Sequence, residues 1–336
     1  MLAIQTDATG KSMTVNISKP HIGPDEVLIK TIGCGLCGTD LLKINLGLLR
    51  QPTILGHEVV GRVAEKGAKV FDYQLGDLIV VAHHVPCGTC HYCLHGNHSM
   101  CATFKKTNLD PGGFCEFIRL SKQHLDHTTF KITGDFAWQE ALFTEPLACC
   151  ERSFQKLTIL PGDVLVIVGL GSIGIMMTKL VKRLGGKVIG IDTDTHRCSQ
   201  ALSYGADKTI ESTDKLHTLI NEPTQSRGAD GIIFTAGPAG LLNASLLWLR
   251  DGGFVNLFSH LSGEVGPIDT SRLYHHEIQI ITSYSATPES LKRSFDILRS
   301  EHLNLKQMFE TYRPDQFEQA VKDMNERKVY KALIEF

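Results

Sequence analysis

Four cysteines in one short loop constrain this chain more than any other feature of its sequence. They stand at Cys87, Cys90, Cys93 and Cys101. Four thiolates at this spacing can close a tetrahedral zinc site, and a site with four protein ligands has no open position, so its role would be structural. An iron–sulfur cluster and ordinary free cysteines are the alternatives. The ferredoxin pattern, however, has three residues before its fourth cysteine where this loop has seven, and proline where this loop has Ala102.

Composition excludes several classes of protein. The 336 residues suggest about two domains, and 34 Lys+Arg against 36 Asp+Glu give a net charge of −2 without a basic stripe, which argues against nucleic acid as a partner. Residues 1–10 lack the pattern of a secretory signal, and no apolar stretch reaches the ~20 residues of a membrane span. We therefore expect a soluble, cytoplasmic protein whose ten cysteines favour metal binding over disulfides.

The predicted secondary-structure pattern changes near residues 150–163. Before that point, short apolar runs separated by Gly, Pro and Asp predict a mostly β region. After it, apolar runs alternate with helical patterns, which predicts an α/β fold with a doubly wound parallel sheet. The strands predicted there are Val164–Val168, Lys187–Ile191, Gly231–Ala236 and Phe254–Phe258, and the helices Ser172–Leu184 and Thr195–Tyr204. The tail predicts helices at Pro288–Ser300 and Pro314–Lys328 and a strand at Val329–Phe336.

A glycine fingerprint follows the first of these strands. Gly169, Gly171 and Gly174 form a G-x-G-x-x-G pattern that opens a helix, which is the context required of a dinucleotide-binding loop. Asp192 ends the next strand, where a carboxylate accepts hydrogen bonds from a ribose hydroxyl and repels a 2′-phosphate. This favours NAD over NADP. Arg197 would either reach the adenosine end of the cofactor or be a solvated helix residue.

A second set of metal-ligand residues is scattered along the chain. It comprises Cys37, His57, Glu58 and Glu145. Three protein ligands and an exchangeable water make a catalytic zinc site, but each of these residues alone is a weak signal, and only a fold can join them. Cys34 and Cys37 have the spacing of a redox pair, which is a further alternative.

Together, these features resemble the zinc-dependent medium-chain dehydrogenase/reductase family of alcohol dehydrogenases. The resemblance covers essentially the whole chain. It rests on five motifs in the family's order: Cys37-Gly38-Thr39-Asp40, Gly56-His57-Glu58-x2-Gly61-x5-Gly67, the four-cysteine loop, Glu145-Pro146-Leu147-Ala148 and Gly169-x-Gly171-x2-Gly174. The Glu145 motif is similar to that of the polyol (sorbitol-type) and L-threonine dehydrogenase branch, because ordinary alcohol dehydrogenases usually have a cysteine there.

The resemblance implies a Rossmann domain inserted into a β-rich, chaperonin-10-like catalytic domain. We expect the catalytic domain over residues 1–150, the NAD-binding domain over 151–284 and a return to the catalytic domain over 285–336. Members of the family are commonly oligomeric, which implies a homodimer or homotetramer.

The resemblance also implies roles for individual residues. Catalytic zinc would be bound by Cys37, His57 and Glu58, with Glu145 as a fourth ligand or as the residue that holds the zinc-bound water. Structural zinc would be bound by Cys87, Cys90, Cys93 and Cys101. Thr39 would begin a proton relay, and His84 would contact substrate or transfer a proton. The implied NAD-binding residues are Gly169, Gly171, Ile173, Gly174, Asp192, Arg197, Leu257, Phe258, Ser259, Ser283 and Tyr284.

The expected reaction is hydride transfer between NAD and a secondary alcohol of a polyol, cyclitol or sugar derivative. L-threonine or another amino alcohol is the alternative substrate, although threonine dehydrogenases have a relay histidine where this chain has Leu42. Lys105 and Lys106 would either meet a phosphate or carboxylate of the substrate or belong to a solvated loop. A non-catalytic NAD-binding zinc protein is the alternative from another class, because fold does not imply function.

Overall fold

The computed structural model describes all of residues 1–336. Its strands are β1 (Leu2–Thr6), β2 (Ser12–Asn16), β3 (Val27–Gly35), β4 (Glu58–Lys66), β5 (Leu78–Ala82), β6 (Phe117–Leu120), β7 (Thr129–Lys131), β8 (Val164–Val168), β9 (Lys187–Ile191), β10 (Lys208–Ile210), β11 (Ala229–Phe234), β12 (Leu249–Leu257), β13 (Gln279–Thr282), β14 (Phe309–Tyr312) and β15 (Lys331–Glu335).

The α-helices are α1 (Gly38–Asn45), α2 (His91–Leu94), α3 (Ala102–Lys106), α4 (Lys122–His127), α5 (Trp138–Ala141), α6 (Thr144–Phe154), α7 (Ser172–Arg183), α8 (Thr195–Ser203), α9 (Leu216–Thr224), α10 (Leu241–Ser245), α11 (Thr270–His275), α12 (Pro288–Ser300) and α13 (Phe317–Asn325). Short 3₁₀ segments lie at His98–Met100, Leu246–Trp248, Leu305–Met308 and Pro314–Gln316. None of the helices combines the length and the apolar character needed to cross a lipid bilayer.

The chain divides into two compact units. The first comprises residues 1–148 and 286–336, and the second comprises residues 149–285. The C-terminal segment therefore returns to the unit in which the chain begins.

The first unit is built on a seven-stranded sheet and a β1–β2 hairpin. The strand order is β14-β15-β3-β4-β5-β7, and β6 pairs with β3. All neighbours are antiparallel except β14 and β15. Apolar side chains of β3, β4 and β5, including Ile29, Val59 and Val81, form one buried face of this unit, as expected for strands whose side chains alternate between two faces. The sheet places Gly35 of β3 opposite both Glu58 of β4 and Leu333 of β15.

The second unit is a six-stranded parallel sheet. Its order is β10-β9-β8-β11-β12-β13, with every neighbouring pair parallel. Central strand β8 is buried at all five positions, which is the reason its sequence is continuously apolar. The order reverses after β8, so the carboxyl ends of β8 and β11 meet at a topological switch point, where open α/β sheets bind their ligands. The predicted α/β class and doubly wound sheet are confirmed.

Several predicted elements differ from the structure. Phe114–Leu120 is one of the short apolar runs that predict strands in the first part of the chain. It becomes a strand only at Phe117, because the amide of Phe114 donates to the carbonyl of Leu55 outside the sheet. The four-cysteine loop, which has no apolar period, contains the short helix α2 and a 3₁₀ turn at His98–Met100, and α3 follows its last cysteine. Edge strand β13 was not predicted, because its residues are mostly exposed and show no strand pattern. Pro314–Lys328 forms a 3₁₀ turn followed by α13 rather than one helix.

Candidate metal and cofactor sites

The four loop cysteines converge on one point. Their sulfur atoms all lie within 4.8 Å of one another. The Sγ atoms of Cys90 and Cys93 are 3.6 Å apart, and those of Cys87 and Cys93 are 4.0 Å apart. A tetrahedral zinc ion with Zn–S bonds of about 2.3 Å keeps its sulfurs about 3.8 Å apart. The cluster therefore has the dimensions of a closed four-sulfur zinc site.

Backbone amides donate hydrogen bonds to two of these sulfurs and so stabilise their thiolate forms. The amide of Cys87 donates to Sγ of Cys101 at 3.4 Å, and the amide of Cys90 donates to Sγ of Cys87 at 3.4 Å. Burial works to raise the pKa of Cys101, but backbone amides outweigh it and lower that pKa to about 6. Burial and the neighbouring Cys90 raise the pKa of Cys93 to about 12. Without a metal, one thiol of the cluster loses its proton easily and another holds it tightly. A divalent cation stabilises all four thiolates together, so all four can be deprotonated at once.

A second cluster brings together residues that are far apart in the sequence. The ligand atoms of Cys37, His57 and Glu58 also lie within 4.8 Å of one another. Cys37 is the N-cap of α1, directly after β3, and Glu58 begins β4, directly after His57. Because β3 and β4 pair at Gly35 and Glu58, the sheet register draws the three ligands together.

Asp40 places a negative charge beside the histidine of this cluster. Its Oδ1 atom lies 3.5 Å from Nδ1 of His57, and its Oδ2 atom accepts a hydrogen bond from the amide of Cys37. Burial works to raise the pKa of Asp40, but the charge of His57 outweighs it and lowers that pKa. Burial by itself lowers the pKa of His57, but the charges of Asp40 and Cys37 raise it well above its usual range. The pocket therefore favours positive charge, which suits a metal cation.

Glu58 is held from the opposite side by a buried lysine. Nζ of Lys331 donates to Oε1 of Glu58 at 2.7 Å, and the two residues are 3% and 0% exposed. Burial works to lower the pKa of Lys331, but the charges of Glu58 and Cys37 raise it. The other oxygen, Oε2, is buried without a hydrogen-bond partner. A buried acceptor left this way is costly unless a cation or donor meets it.

Gly35 makes room for this carboxylate. A Cβ atom at that position would lie 2.2 Å from Oε2 of Glu58. Any side chain on Gly35 would therefore displace the Glu58 carboxylate.

Glu145 lies near this cluster but outside the group of three. It is buried in the first turn of α6, and its charge contributes to the raised pKa of Lys331. The Glu-Pro pair is therefore the start of a helix rather than a turn. The helix N-terminus tolerates proline there because the first amides have no partner within the helix.

A stack of rings extends from His57 towards the cysteine loop. The ring centroids of His57 and His83 are 4.6 Å apart, those of His83 and His84 are 3.7 Å apart, and those of His84 and Phe104 are 4.6 Å apart. Nδ1 of His84 lies 2.5 Å from the carbonyl oxygen of Thr107. A carbonyl only accepts, so Nδ1 carries the proton and Nε2 is the free acceptor. Burial lowers the pKa of His84 to about 4, which keeps the ring neutral at physiological pH.

Thr39 and the two loop lysines occupy exposed positions. Thr39 is in the first turn of α1, two residues after Cys37, and Leu42 lies further along the same helix and is also exposed. Lys105 and Lys106 form the exposed last turn of α3. Their exposure agrees with the solvated alternative for these lysines.

The glycine loop of the second unit lies between β8 and α7. Gly169 has φ +91°, a conformation that glycine adopts without strain. A Cβ at Gly174 would lie 2.1 Å from the carbonyl oxygen of Gly169, so only glycine lets the helix begin this close to the strand. Gly171 is the N-cap of α7, and a Cβ there would lie 3.5 Å from Nη1 of Arg197. The guanidinium of Arg197 thus lies beside the loop, and Ile173 is half-buried in the first turn of α7.

Asp192 is anchored beside this loop. Its Oδ2 atom accepts from the amide of Leu170 at 2.8 Å, and its Oδ1 atom accepts from the amide of Asp194 at 3.1 Å. These bonds fix a carboxylate at the end of β9, where a dinucleotide-binding sheet meets the ribose of its cofactor.

Two serines at the same edge of the sheet have buried, unpartnered hydroxyls. The Oγ atoms of Ser259 and Ser283 are buried without a hydrogen-bond partner. Ser259 follows β12, with Leu257 and Phe258 half-buried before it, and Ser283 follows β13, with exposed Tyr284 after it. Unsatisfied buried hydroxyls at the carboxyl edge of a parallel sheet fit a polar cofactor bound there.

Sequence reasoning did not assign a role to Asp40 or to Lys331. Asp40 belongs to a quoted motif, and its spacing from Cys37 was the available signal. Lys331 lies 273 positions from Glu58, and its only signal was a lysine at the start of an otherwise apolar strand, KALIE.

Two family models and several known proteins match this chain. The family described as "Alcohol dehydrogenase GroES-like domain" matches residues 23–129, and that described as "Zinc-binding dehydrogenase" matches residues 172–300. D-arabitol-phosphate dehydrogenase of Enterococcus avium is 29% identical over 331 residues, covering 96% of this chain and 93% of that protein. L-threonine 3-dehydrogenase of Caldanaerobacter subterraneus subsp. tengcongensis is 30% identical over 262 residues, covering 74% of this chain and 73% of that protein.

A solved structure shows the same fold. Galactitol-1-phosphate dehydrogenase of Escherichia coli superposes with a TM-score of 0.87, is 24% identical, and covers 100% of both chains.

Proposed function

Because this chain belongs to the zinc-binding alcohol dehydrogenase family, we propose that it oxidises a secondary alcohol of a polyol, cyclitol or sugar derivative with NAD. The observation that carries this proposal is the cluster of Cys37, His57 and Glu58, whose buried Oε2 atom has no protein partner. Three protein ligands with room for an exchangeable fourth are the arrangement of a catalytic zinc site.

We assign the residues of the two metal sites as follows. Cys37, His57 and Glu58 hold catalytic zinc, and Glu145 serves as a fourth ligand or holds a bound water. The four loop cysteines hold structural zinc. When bound, zinc supplies a Lewis acid that makes the alcohol proton easier to remove, and NAD supplies the carbon that accepts the hydride.

Thr39 and His84 act on the substrate's protons in this proposal. The exposed hydroxyl of Thr39 accepts the alcohol proton and passes it to solvent, which suits a residue in the turn that follows Cys37. His84 offers Nε2 as an acceptor, but a pKa of about 4 makes it a poor proton carrier near neutral pH. It therefore orients a substrate hydroxyl. Leu42 has no proton to exchange, so beyond Thr39 the proton would leave through a bound cofactor's ribose and water or through another group.

The second unit binds NAD in this proposal. The anchored carboxylate of Asp192 accepts from the ribose hydroxyls, Arg197 lies beside the adenosine end, and the hydroxyls of Ser259 and Ser283 meet the nicotinamide side. We propose residues 1–150 and 285–336 as the catalytic domain, 151–284 as the NAD-binding domain, a homodimer or homotetramer as the assembly, and the cytoplasm as the location.

The relatives support a hydroxylated substrate. One acts on a polyol phosphate and another on L-threonine, as their names state. The polyol class is favoured because Leu42 replaces the relay histidine of the threonine dehydrogenase pattern. L-threonine remains the second candidate, because His84 stands three residues before Cys87, where the threonine dehydrogenase pattern also has a histidine.

The test combines zinc analysis with NAD reduction on a panel of polyols, polyol phosphates, cyclitols and amino alcohols. We expect about two zinc ions per chain and NADH formation on one polyol class. Turnover only on L-threonine would replace the substrate assignment. One zinc ion per chain, without turnover, would contradict the catalytic site.

The cofactor assignment has its own test. Replacing Asp192 with Ala (D192A) is expected to lower kcat/KM with NAD at least about tenfold and to narrow the preference for NAD over NADP, because the ribose acceptor and its negative charge are both lost. Asp194→Ala is the matched control, since Asp194 caps α8 rather than facing the ribose position. An unchanged preference in D192A would contradict the assignment.

A further inference from the structure

Two exposed histidines lie on the outer side of the cysteine loop. His91 is the first residue of α2 and His95 is its C-cap, so the two are four positions apart on one helical turn. Residues at this spacing lie on the same face of a helix. Their ring centroids are 4.2 Å apart, with 35° between the ring planes.

The turn that carries both rings is well braced. The amide of His95 donates to the carbonyl of His91 at 3.2 Å, and the amide of Leu94 donates to that of Cys90 at 3.0 Å. Asn97 closes the turn by donating from its amide to the carbonyl of Tyr92 at 2.8 Å. The backbone positions from which the two rings project are therefore held by hydrogen bonds.

One ring has its tautomer fixed by the backbone. Nδ1 of His95 lies 2.8 Å from the carbonyl oxygen of His91. Since a carbonyl only accepts, Nδ1 carries the proton and Nε2 keeps its lone pair. A hydrogen bond of this kind, from the far ring nitrogen to a backbone carbonyl, is the usual support of a metal-ligating histidine.

The spacing of the rings fits two cis ligands of one ion. With metal–nitrogen bonds of about 2.1 Å, each ring centroid lies about 3.2 Å from the ion, so ligands about 90° apart hold their centroids about 4.5 Å apart. The observed centroid distance of 4.2 Å is close to this value.

The surrounding sequence selects the kind of ion. No Asp or Glu occurs between Asp77 and Asp110, so the sequence around this turn supplies no carboxylate ligand. Imidazole nitrogens without carboxylates suit Zn²⁺, Cu²⁺ and Ni²⁺ and disfavour Ca²⁺ and Mg²⁺.

We propose that His91 and His95 form a third metal site, an open pair of imidazoles that binds a divalent transition-metal ion from solvent. This site is distinct from the four-sulfur cluster and from the Cys37 cluster, and it does not depend on the proposed reaction. Its open coordination positions make it an exchangeable site, whereas the neighbouring four-sulfur site is closed.

The test titrates the zinc-replete holoenzyme with Ni²⁺ by calorimetry and counts the nickel bound beyond the zinc. The wild-type chain is expected to bind one nickel ion that Ca²⁺ and Mg²⁺ do not displace. His91→Gln and His95→Gln are each expected to weaken this binding at least about tenfold, because one imidazole remains.

Two of the variants distinguish loss of metal binding from loss of the hydrogen bond between His95 and the His91 carbonyl. His91→Gln keeps the backbone carbonyl that accepts the hydrogen bond from His95. The end of the helix is therefore unchanged, while one of the two metal-binding imidazoles is lost. His127→Gln is the matched control, since His127 is exposed in the last turn of α4 and the residue four positions before it is Gln123. Equal nickel binding by the wild type and His91→Gln, or loss only in His95→Gln, would overturn the proposal.

Discussion

The two metal-ligand clusters of the first unit are built by opposite means. The four-cysteine cluster comes from one continuous loop and uses only short-range turns and backbone amides. The Cys37 cluster takes its ligands from the ends of β3 and β4, and its supports, Asp40 and Lys331, from α1 and β15. The first is determined locally, whereas the second exists only once the sheet is in register.

This difference extends to how each cluster is stabilised. The only buried apolar group packed with the loop cysteines is Phe104, so the loop has little core of its own and depends on its metal for order. The Cys37 cluster adjoins main-core residues such as Cys34, Leu36 and Val59, and its charges are balanced by protein groups. Metal loss should therefore unfold the loop but leave the Cys37 pocket folded and inactive.

Single cysteine substitutions test this contrast most strongly. Cys37→Ser is expected to lose one zinc ion and at least about 10³-fold in kcat/KM, about 4 kcal/mol of transition-state stabilisation, with a small change in Tm. Cys90→Ser is expected to lose the other zinc ion and lower Tm by about 5–10 °C while keeping measurable turnover. Zinc analysis, thermal denaturation and initial rates measure the three quantities.

The control for both is Cys115→Ser, a buried cysteine outside either cluster whose hydroxyl replacement keeps an acceptor in the carbonyl of Phe117. It should retain both zinc ions. Equal loss of turnover in Cys37→Ser and Cys90→Ser, with equal Tm, would remove the distinction between the clusters.

The buried ion pair provides the next test. Lys331→Met leaves the Glu58 carboxylate buried without its cation, which is expected to cost about 3–5 kcal/mol of unfolding free energy. The loss should be smaller in zinc-loaded protein than after chelator treatment, because bound zinc supplies another positive charge. Urea denaturation with and without chelator measures both values.

Adding Glu58→Gln to Lys331→Met should recover part of the stability, since no charge then remains unpaired. A double variant as unstable as Lys331→Met would show that the lysine acts through packing alone.

The same contrast explains what could be predicted from the sequence. The cysteine loop was readable because its ligands and turns lie in one stretch, and β8 and β9 were predicted with their observed bounds because buried parallel strands are continuously apolar. The roles of Asp40 and Lys331 could not be predicted from the sequence. A buried Lys–Glu pair across β15 and β4 depends on sheet register, and the sequence carries no local signal of that register.

Asp40 sharpens the comparison further, because it supports one cluster only. Asp40→Asn keeps an oxygen to accept from the amide of Cys37 but loses the charge beside His57. We expect zinc affinity at the Cys37 cluster to fall about 10–100-fold while the four-sulfur site is unchanged. Competition with a chromophoric chelator resolves the two zinc ions by their release. Simultaneous release of both ions in this variant would contradict the assignment.

His84 gives the smallest effect, and it lies between the two clusters. Its pKa is about 4 in the folded protein against an ordinary value of 6.5. As pH falls from about 6.5 towards 4, the unfolded chain takes up a proton that the folded protein does not, so stability is lost over that window. The full shift corresponds to about 3 kcal/mol, and solvent screening of this half-buried ring reduces it to about 1 kcal/mol.

His84→Gln removes this titration, so its unfolding free energy should fall less steeply than that of the wild type between pH 6.5 and 4. His83 and His124, whose pKa values burial also lowers, remain in both proteins, and the difference therefore isolates His84. His127→Gln, at an exposed position, should keep the wild-type slope. If His84→Gln and the wild type lose stability in parallel, the ring is protonated in the folded protein, and His84 would then be a proton carrier rather than a hydrogen-bond acceptor for substrate.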